Sequence, residues 1–120
     1  MTTILYVEDH PPARLLMQAI VSDLLPHNLV WASTGAAARV QAVAYQPGLY
    51  IVDLDLPDTD GLTLARALRE LHPAPVILVS AYAEAVKPEQ FAGIVQAYLA
   101  KPLDPEYVAE VILHTLAGRK

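Results

Sequence analysis

Five short apolar runs, rich in branched and aromatic residues, recur along the chain at residues 4–7, 29–32, 49–52, 76–79 and 97–100. Each is of strand length, and none alternates apolar with polar positions. Near-continuous apolarity predicts strands covered on both faces, the situation of a parallel sheet between two helical layers. Helical periods lie between the runs. Ala36, Ala37, Val40, Val43 and Ala44 form one stripe, and Leu64, Leu68 and Leu71 mark one face of residues 61–71. Val108, Val111, Ile112, Thr115 and Leu116 form another near the C-terminus, where Asp104, Pro105 and Glu106 read as N-cap, first-turn proline and a dipole-favouring acid. Pro11 and Pro12 open a first helix that runs to about Leu25. Pro88 interrupts residues 81–94, which predicts a loop to about Val86 and then a short fourth helix.

The resulting order, β-α five times over, predicts an α/β domain of the flavodoxin-like, doubly wound (βα)5 type, with a parallel five-stranded sheet in the order 2-1-3-4-5. In that order strands 1 and 3 are neighbours, and ligands bind at the carboxyl ends of strands near this switch point. Glu8 and Asp9 end the first strand, and Asp53 ends the third. Asp53 also opens a run of four acids with Asp55, Asp58 and Asp60. Two acidic clusters are therefore expected to converge on one crevice.

Length and composition narrow the setting. At 120 residues the chain is expected to be a single domain, residues 1–120, and without cysteine it has no disulfide framework or thiolate metal site. A net charge of −5 offers no electrostatic footprint for direct nucleic-acid binding. No apolar run suits a membrane span, and the N-terminus lacks the basic start of a secretory signal, so a cytoplasmic location without membrane insertion is expected.

Clustered carboxylates repel one another and resist ionisation unless a cation neutralises them. Mg2+, which takes oxygen ligands and is commonly held by one or two carboxylates plus phosphate and water, is the natural partner. Asp9 and Asp53 are candidate direct ligands, with the backbone carbonyl of Asp55 beside them and Glu8 acting through water. Ser80 and Lys101, at the ends of strands 4 and 5, can donate to the oxygens of a phosphoryl group at such a centre. Lys101 precedes Pro102 in a tight turn, a place for a cis peptide bond. The histidines His10, His27, His72 and His114 have no metal spacing, although His10 adjoins the acidic pair. Trp31 reads as packing on an edge strand, with a contact role held in reserve.

Four segments, ILYVEDHPPARLL, LYIVDLDLPDTDGLTLARALR, PVILVSAY and YLAKPLD, occur in an order that resembles the response-regulator receiver domains of bacterial two-component signalling. The resemblance implies that Asp53 is the phosphoacceptor, modified to an aspartyl phosphate, and that Glu8 and Asp9 are the acidic pair binding Mg2+. It implies that Ser80 hydrogen-bonds the phosphoryl group, that Lys101 pairs with it, and that Tyr98 is the aromatic switch residue coupled to Ser80. Pro57 and Gly61 match the turn after the acceptor strand. Asp55 and Tyr82 occupy variable positions expected to tune phosphoryl lifetime, while Gly93 stands slightly shifted from the family's usual turn before the fifth strand.

The implied partners are a sensor histidine kinase or histidine phosphotransfer protein, and a downstream protein effector reached through the fourth helix, fifth strand and fifth helix. A homodimer stays open. No enzyme activity is expected beyond phosphorylation and dephosphorylation of Asp53. Only residues 117–120 follow the last helix, so no output domain is expected and a stand-alone receiver is favoured over one excised from a larger regulator or hybrid kinase. The alternatives are a pseudo-receiver that binds without being phosphorylated, and a Mg2+ enzyme resembling haloacid-dehalogenase phosphatases, through Asp53 and Asp55, or toprim domains.

Overall fold

The computed structural model of the chain describes residues 2–81 and 93–118. Within them β1 (Thr3–Val7), β2 (Asn28–Ala32), β3 (Leu49–Asp53), β4 (Val76–Ser80) and β5 (Ala97–Ala100) form one parallel sheet in the order β2-β1-β3-β4-β5. This is the flavodoxin-like order expected from the sequence. Helices α1 (Pro11–Leu24), α2 (Gly35–Tyr45), α3 (Gly61–Leu71) and α4 (Pro105–Ala117) cover its faces. The helix expected after Val86, and Tyr82, lie outside the described residues.

Strand side chains alternate between the two faces, so every buried strand feeds two cores. Ile4, Tyr6, Leu49, Ile51, Ile77, Val79 and Leu99 pack with Met17 and Ile20 of α1 and with Val108 and Ile112 of α4. Leu5, Val7, Tyr50, Val52, Val76 and Leu78 pack with Ala38 and Ala42 of α2 and with Leu64 and Leu68 of α3. Polar groups inside this sandwich find partners: the Tyr50 hydroxyl donates to the carbonyls of His72 at 2.6 Å and Leu68 at 3.1 Å, satisfying the open end of α3.

One expectation is corrected. Of the stripe of Ala36, Ala37, Val40, Val43 and Ala44 only Ala37 packs against the core: Val40 and Val43 are 70% and 58% exposed, and the buried side of α2 is Gly35, Ala38 and Ala42. Both sets have helical spacing, so periodicity alone did not choose between them. The choice is made by the start of the helix. Asp58, from the loop after β3, accepts from the N–H groups of Gly35 at 2.8 Å and Ala36 at 3.1 Å, and Gly35 lies so close to Thr59 that a Cβ would come within 2.7 Å of its methyl. This clamp turns the small residues of α2 inward.

The expected cap of α4 is present, and α3 has one as well. Asp60 accepts from the N–H of Thr63 at 2.8 Å at the start of α3, and Asp104 from that of Tyr107 at 3.1 Å at the start of α4. Pro11 occupies the first turn of α1, and the Lys101–Pro102 peptide is cis. Gly93 has φ of 82°, in the left-handed region glycine tolerates.

Gly61 brings α3 hard against the end of β3. Its N–H donates to the Leu54 carbonyl at 2.8 Å, and a Cβ would press on the backbone oxygen of Asp53 and lie 2.7 Å from Leu54 Cα. Because these obstacles are backbone, Gly61→Ala is expected to destabilise the fold by about 2–3 kcal/mol. Asp60→Ala, which removes only a cap, is expected to cost about 1 kcal/mol. Urea denaturation checks both, and a Gly61→Ala midpoint equal to wild type would contradict the close approach.

Candidate functional site

Parallel register assembles the site at the carboxyl edge of the sheet. Val7 pairs with Val52, which makes the next residues, Glu8 and Asp53, cross-strand neighbours. Asp53 pairs with Val79, Ser80 pairs with Ala100, and the N–H of Lys101 donates to the Ser80 carbonyl at 2.9 Å. The period of two then sorts the side chains. Glu8, Asp53 and Lys101 continue the face carrying Tyr6, Ile51 and Leu99, whereas Ser80 continues the face carrying Val52, Leu78 and Tyr98.

Lys101 joins the two buried acids. Its Nζ donates to Glu8 Oε1 at 2.8 Å and to Asp53 Oδ2 at 3.2 Å, with Glu8 1% and Asp53 4% exposed. Asp53 Oδ1 accepts from the Asp55 N–H at 3.2 Å, and the Tyr6 hydroxyl donates to Glu8 Oε1 at 3.4 Å. Asp9 is exposed at the mouth. Carboxylate oxygens of Glu8, Asp9 and Asp53 lie within 4.8 Å of one another.

Burial, reinforced by a hydrogen bond to Asp53 and by its charge, pushes Glu8 up to about 7 despite the opposing Lys101. Burial also works against the Lys101 ammonium, but its hydrogen bonds and charge interactions with Glu8 and Asp53 prevail and raise its pKa. Tyr6 is pushed up by burial and by the two acids, so it stays a neutral donor. One ammonium against three carboxylates leaves negative charge in excess. The donor set fits Mg2+: hard oxygen ligands, few enough to leave positions for water or phosphate.

The remaining residues divide. Ser80 is fully buried at the end of β4, next to the level of Asp53. Tyr98 is half-buried, pairs in register with Leu78, and has no hydrogen-bond partner for its hydroxyl among the described residues. The carboxylate of Asp55 lies outside the three-acid cluster, and its backbone bridges to Asp60. The expected convergence of the whole acidic run is corrected. Asp58 and Asp60 point to the starts of α2 and α3, because free helical N–H groups attract them more than a crowded carboxylate pocket does. His10 is an exposed N-cap whose side chain makes no capping bond.

Two contacts escaped the sequence reading. Tyr6 stands two residues before Glu8 on one strand, and the period of two was the signal that could have linked them. Trp31 Nε1 donates to the Glu8 carbonyl at 2.7 Å, for which the residue pattern held no signal beyond its nearness to a strand end.

A 2-1-3-4-5 sheet with three carboxylates and a lysine at the carboxyl edge of its central strands defines a flavodoxin-like domain with an acidic, cation-compatible pocket. The response regulator receiver domain profile matches residues 4–113, and the chain belongs to this family of two-component signalling domains. It is 29% identical over 120 residues to the signal transduction histidine-protein kinase BarA of Escherichia coli K12, covering 97% of this chain and 13% of that protein. With the KDP operon transcriptional regulatory protein KdpE of the same organism it shares 35% identity over 106 residues, 85% of this chain and 45% of that one. The CheY-like receiver domain from Methylobacillus flagellatus superposes with a TM-score of 0.86 at 26% identity, over 97% of this chain and 98% of that one. Among the described residues no helix is long and apolar enough to cross a membrane.

A folded-state value near 7 for Glu8, against an ordinary value of 4.5, means that the native chain keeps a proton the unfolded chain has lost. Without divalent cation, stability is therefore expected to fall as pH rises from about 4.5 to 7 and then to level off. Thermal midpoints in chelator across this range check the trend. Glu8→Gln should flatten it, and a wild-type profile that matches the variant's would contradict the shift.

Proposed function

We propose that the chain is the phosphoacceptor of a two-component phosphorelay, with Asp53 as the modified residue. The observation that carries this reading is the Lys101 ammonium held between Glu8 and Asp53 inside a cluster of three carboxylates. In the reaction an oxygen of Asp53 attacks the phosphorus of a phosphohistidine. The new O–P bond forms as the P–N bond breaks, and the imidazole leaves with the electron pair and takes up a proton. Bound Mg2+, with Asp9 and Asp53 as direct ligands, the Asp55 carbonyl beside them and Glu8 through water, would neutralise the charge gathered on the phosphoryl oxygens. The Lys101 ammonium would balance the same charge, and the Ser80 hydroxyl would donate to a phosphoryl oxygen.

The donor is a sensor histidine kinase or a histidine phosphotransfer protein, a partner class in keeping with the kinase and regulator among the relatives. Movement of Ser80 toward the phosphoryl group is read by Tyr98 on the same face, which changes a protein-binding surface around β5 and α4. The chain turns over no substrate besides its own acyl phosphate.

Incubation with acetyl phosphate, followed by intact-mass measurement, tests the reading. Wild type is expected to be phosphorylated only with Mg2+, Asp53→Asn not at all, and Lys101→Ala about 10- to 100-fold more slowly. Unmodified wild type would favour a binding module that is never phosphorylated, and steady hydrolysis of a phosphate monoester would favour a phosphatase. Asp55 adds a negative group at the mouth of the pocket, so Asp55→Asn is expected to change the lifetime of the acyl phosphate and leave its formation intact. Equal half-lives would remove Asp55 from that role.

A further inference from the structure

We propose that Trp31 is a positioning residue for the acidic site: its indole N–H holds the Glu8 carbonyl so that Glu8 and Asp9 face a divalent cation together with Asp53. The proposal rests on the reading that this pocket binds Mg2+.

The ladder between β1 and β2 runs from Thr3 paired with Asn28 to Val7 paired with Ala32, and the Glu8 N–H extends it by donating to the Ala32 carbonyl at 3.0 Å. The Glu8 carbonyl is the next acceptor along that edge. Beyond Ala32, however, the chain leaves the sheet to begin α2, with Thr34 as its N-cap accepting from Ala37. The donor that serves Glu8 is the Trp31 indole, at 2.7 Å. The ring is itself held. It is partly buried against the core shared by α1 and α4, and the Arg14 guanidinium lies over it, 4.3 Å from its centroid. Arg14 Nε is buried with no hydrogen-bond partner among the described residues, so the indole face is its evident support.

The Glu8–Asp9 peptide is planar. Fixing its carbonyl fixes the orientation of the unit from which both carboxylates depart, one turned inward to Lys101 and the other outward to the mouth. Supporting hydrogen bonds of this kind commonly change metal affinity 10- to 100-fold when they are lost. Neither composition nor spacing marks Trp31 for this role, because the contact joins a side chain on β2 to a backbone atom beyond the end of β1.

Mg2+ titration by calorimetry at pH 8 tests the proposal on three proteins: wild type, Trp31→Phe, and wild type carrying benzothienylalanine at position 31, which keeps the ring shape and replaces N–H by sulfur. Binding is expected to weaken about tenfold in both substituted proteins, with the benzothienyl protein retaining a thermal midpoint near wild type. As the chain's single tryptophan, Trp31 should also change its emission when Mg2+ is added to wild type. Wild-type affinity in the benzothienyl protein would overturn the positioning role while leaving the cation site intact. Failure of wild type itself to bind Mg2+ would overturn the cation site, and the positioning role with it.

Discussion

The arrangement depends on one electrostatic constraint, the need to keep three carboxylates together at the end of a hydrophobic sheet. Two of them, Glu8 and Asp53, are buried, where isolated negative charge is strongly disfavoured. The Lys101 ammonium, bonded to both, makes their burial tolerable, and the rest of the domain can be seen as what holds that lysine in place. It arrives from residue 101 to meet acids at residues 8 and 53, so the contact exists only when all the intervening strands are correctly registered. An incompletely neutralised site of this kind is predisposed to bind a further cation and to accept an anion in its company.

The acids outside the pocket stabilise the frame that shapes it. Asp58 ties the loop after β3 to the start of α2, and Asp60 starts α3, while Gly61 lets that helix pass against the backbone of Asp53 itself. The loop that follows Asp53 is thereby anchored to two helices. On the opposite side, the turn carrying Glu8 and Asp9 is held by β2 through the Ala32 carbonyl and the Trp31 indole. Each wall of the pocket thus belongs to a different supersecondary unit, and their relative position is set by the two hydrophobic cores.

How much of this was legible in the residues follows from how local each determinant is. The strands were visible because double-sided burial demands unbroken apolar runs, and the cap of α4 was visible because an acid before a helix interacts within one turn. The pocket acids were legible through topology: once the strand order is 2-1-3-4-5, residues ending strands 1 and 3 must meet. The inward face of α2 was not. Alanine and valine are both apolar at helical spacing, and the clamp from Asp58 that selects the alanines comes from a loop 22 or 23 residues away. The same distance problem hid the destination of Asp58, since four acids in a short run look alike until the helix end that attracts it is in place.

By itself, then, the sequence determined the fold, the strand ends on which chemistry can sit, and the residue types gathered there, because hydrophobic period and turn chemistry act over a few residues. Tertiary structure decided which acids are buried, that Lys101 bridges Glu8 and Asp53, and that the Trp31 indole bonds the carbonyl between Glu8 and Asp9. Those outcomes depend on desolvation and on hydrogen-bond geometry between segments far apart in the chain, quantities that come into existence only when the sheet has closed its register.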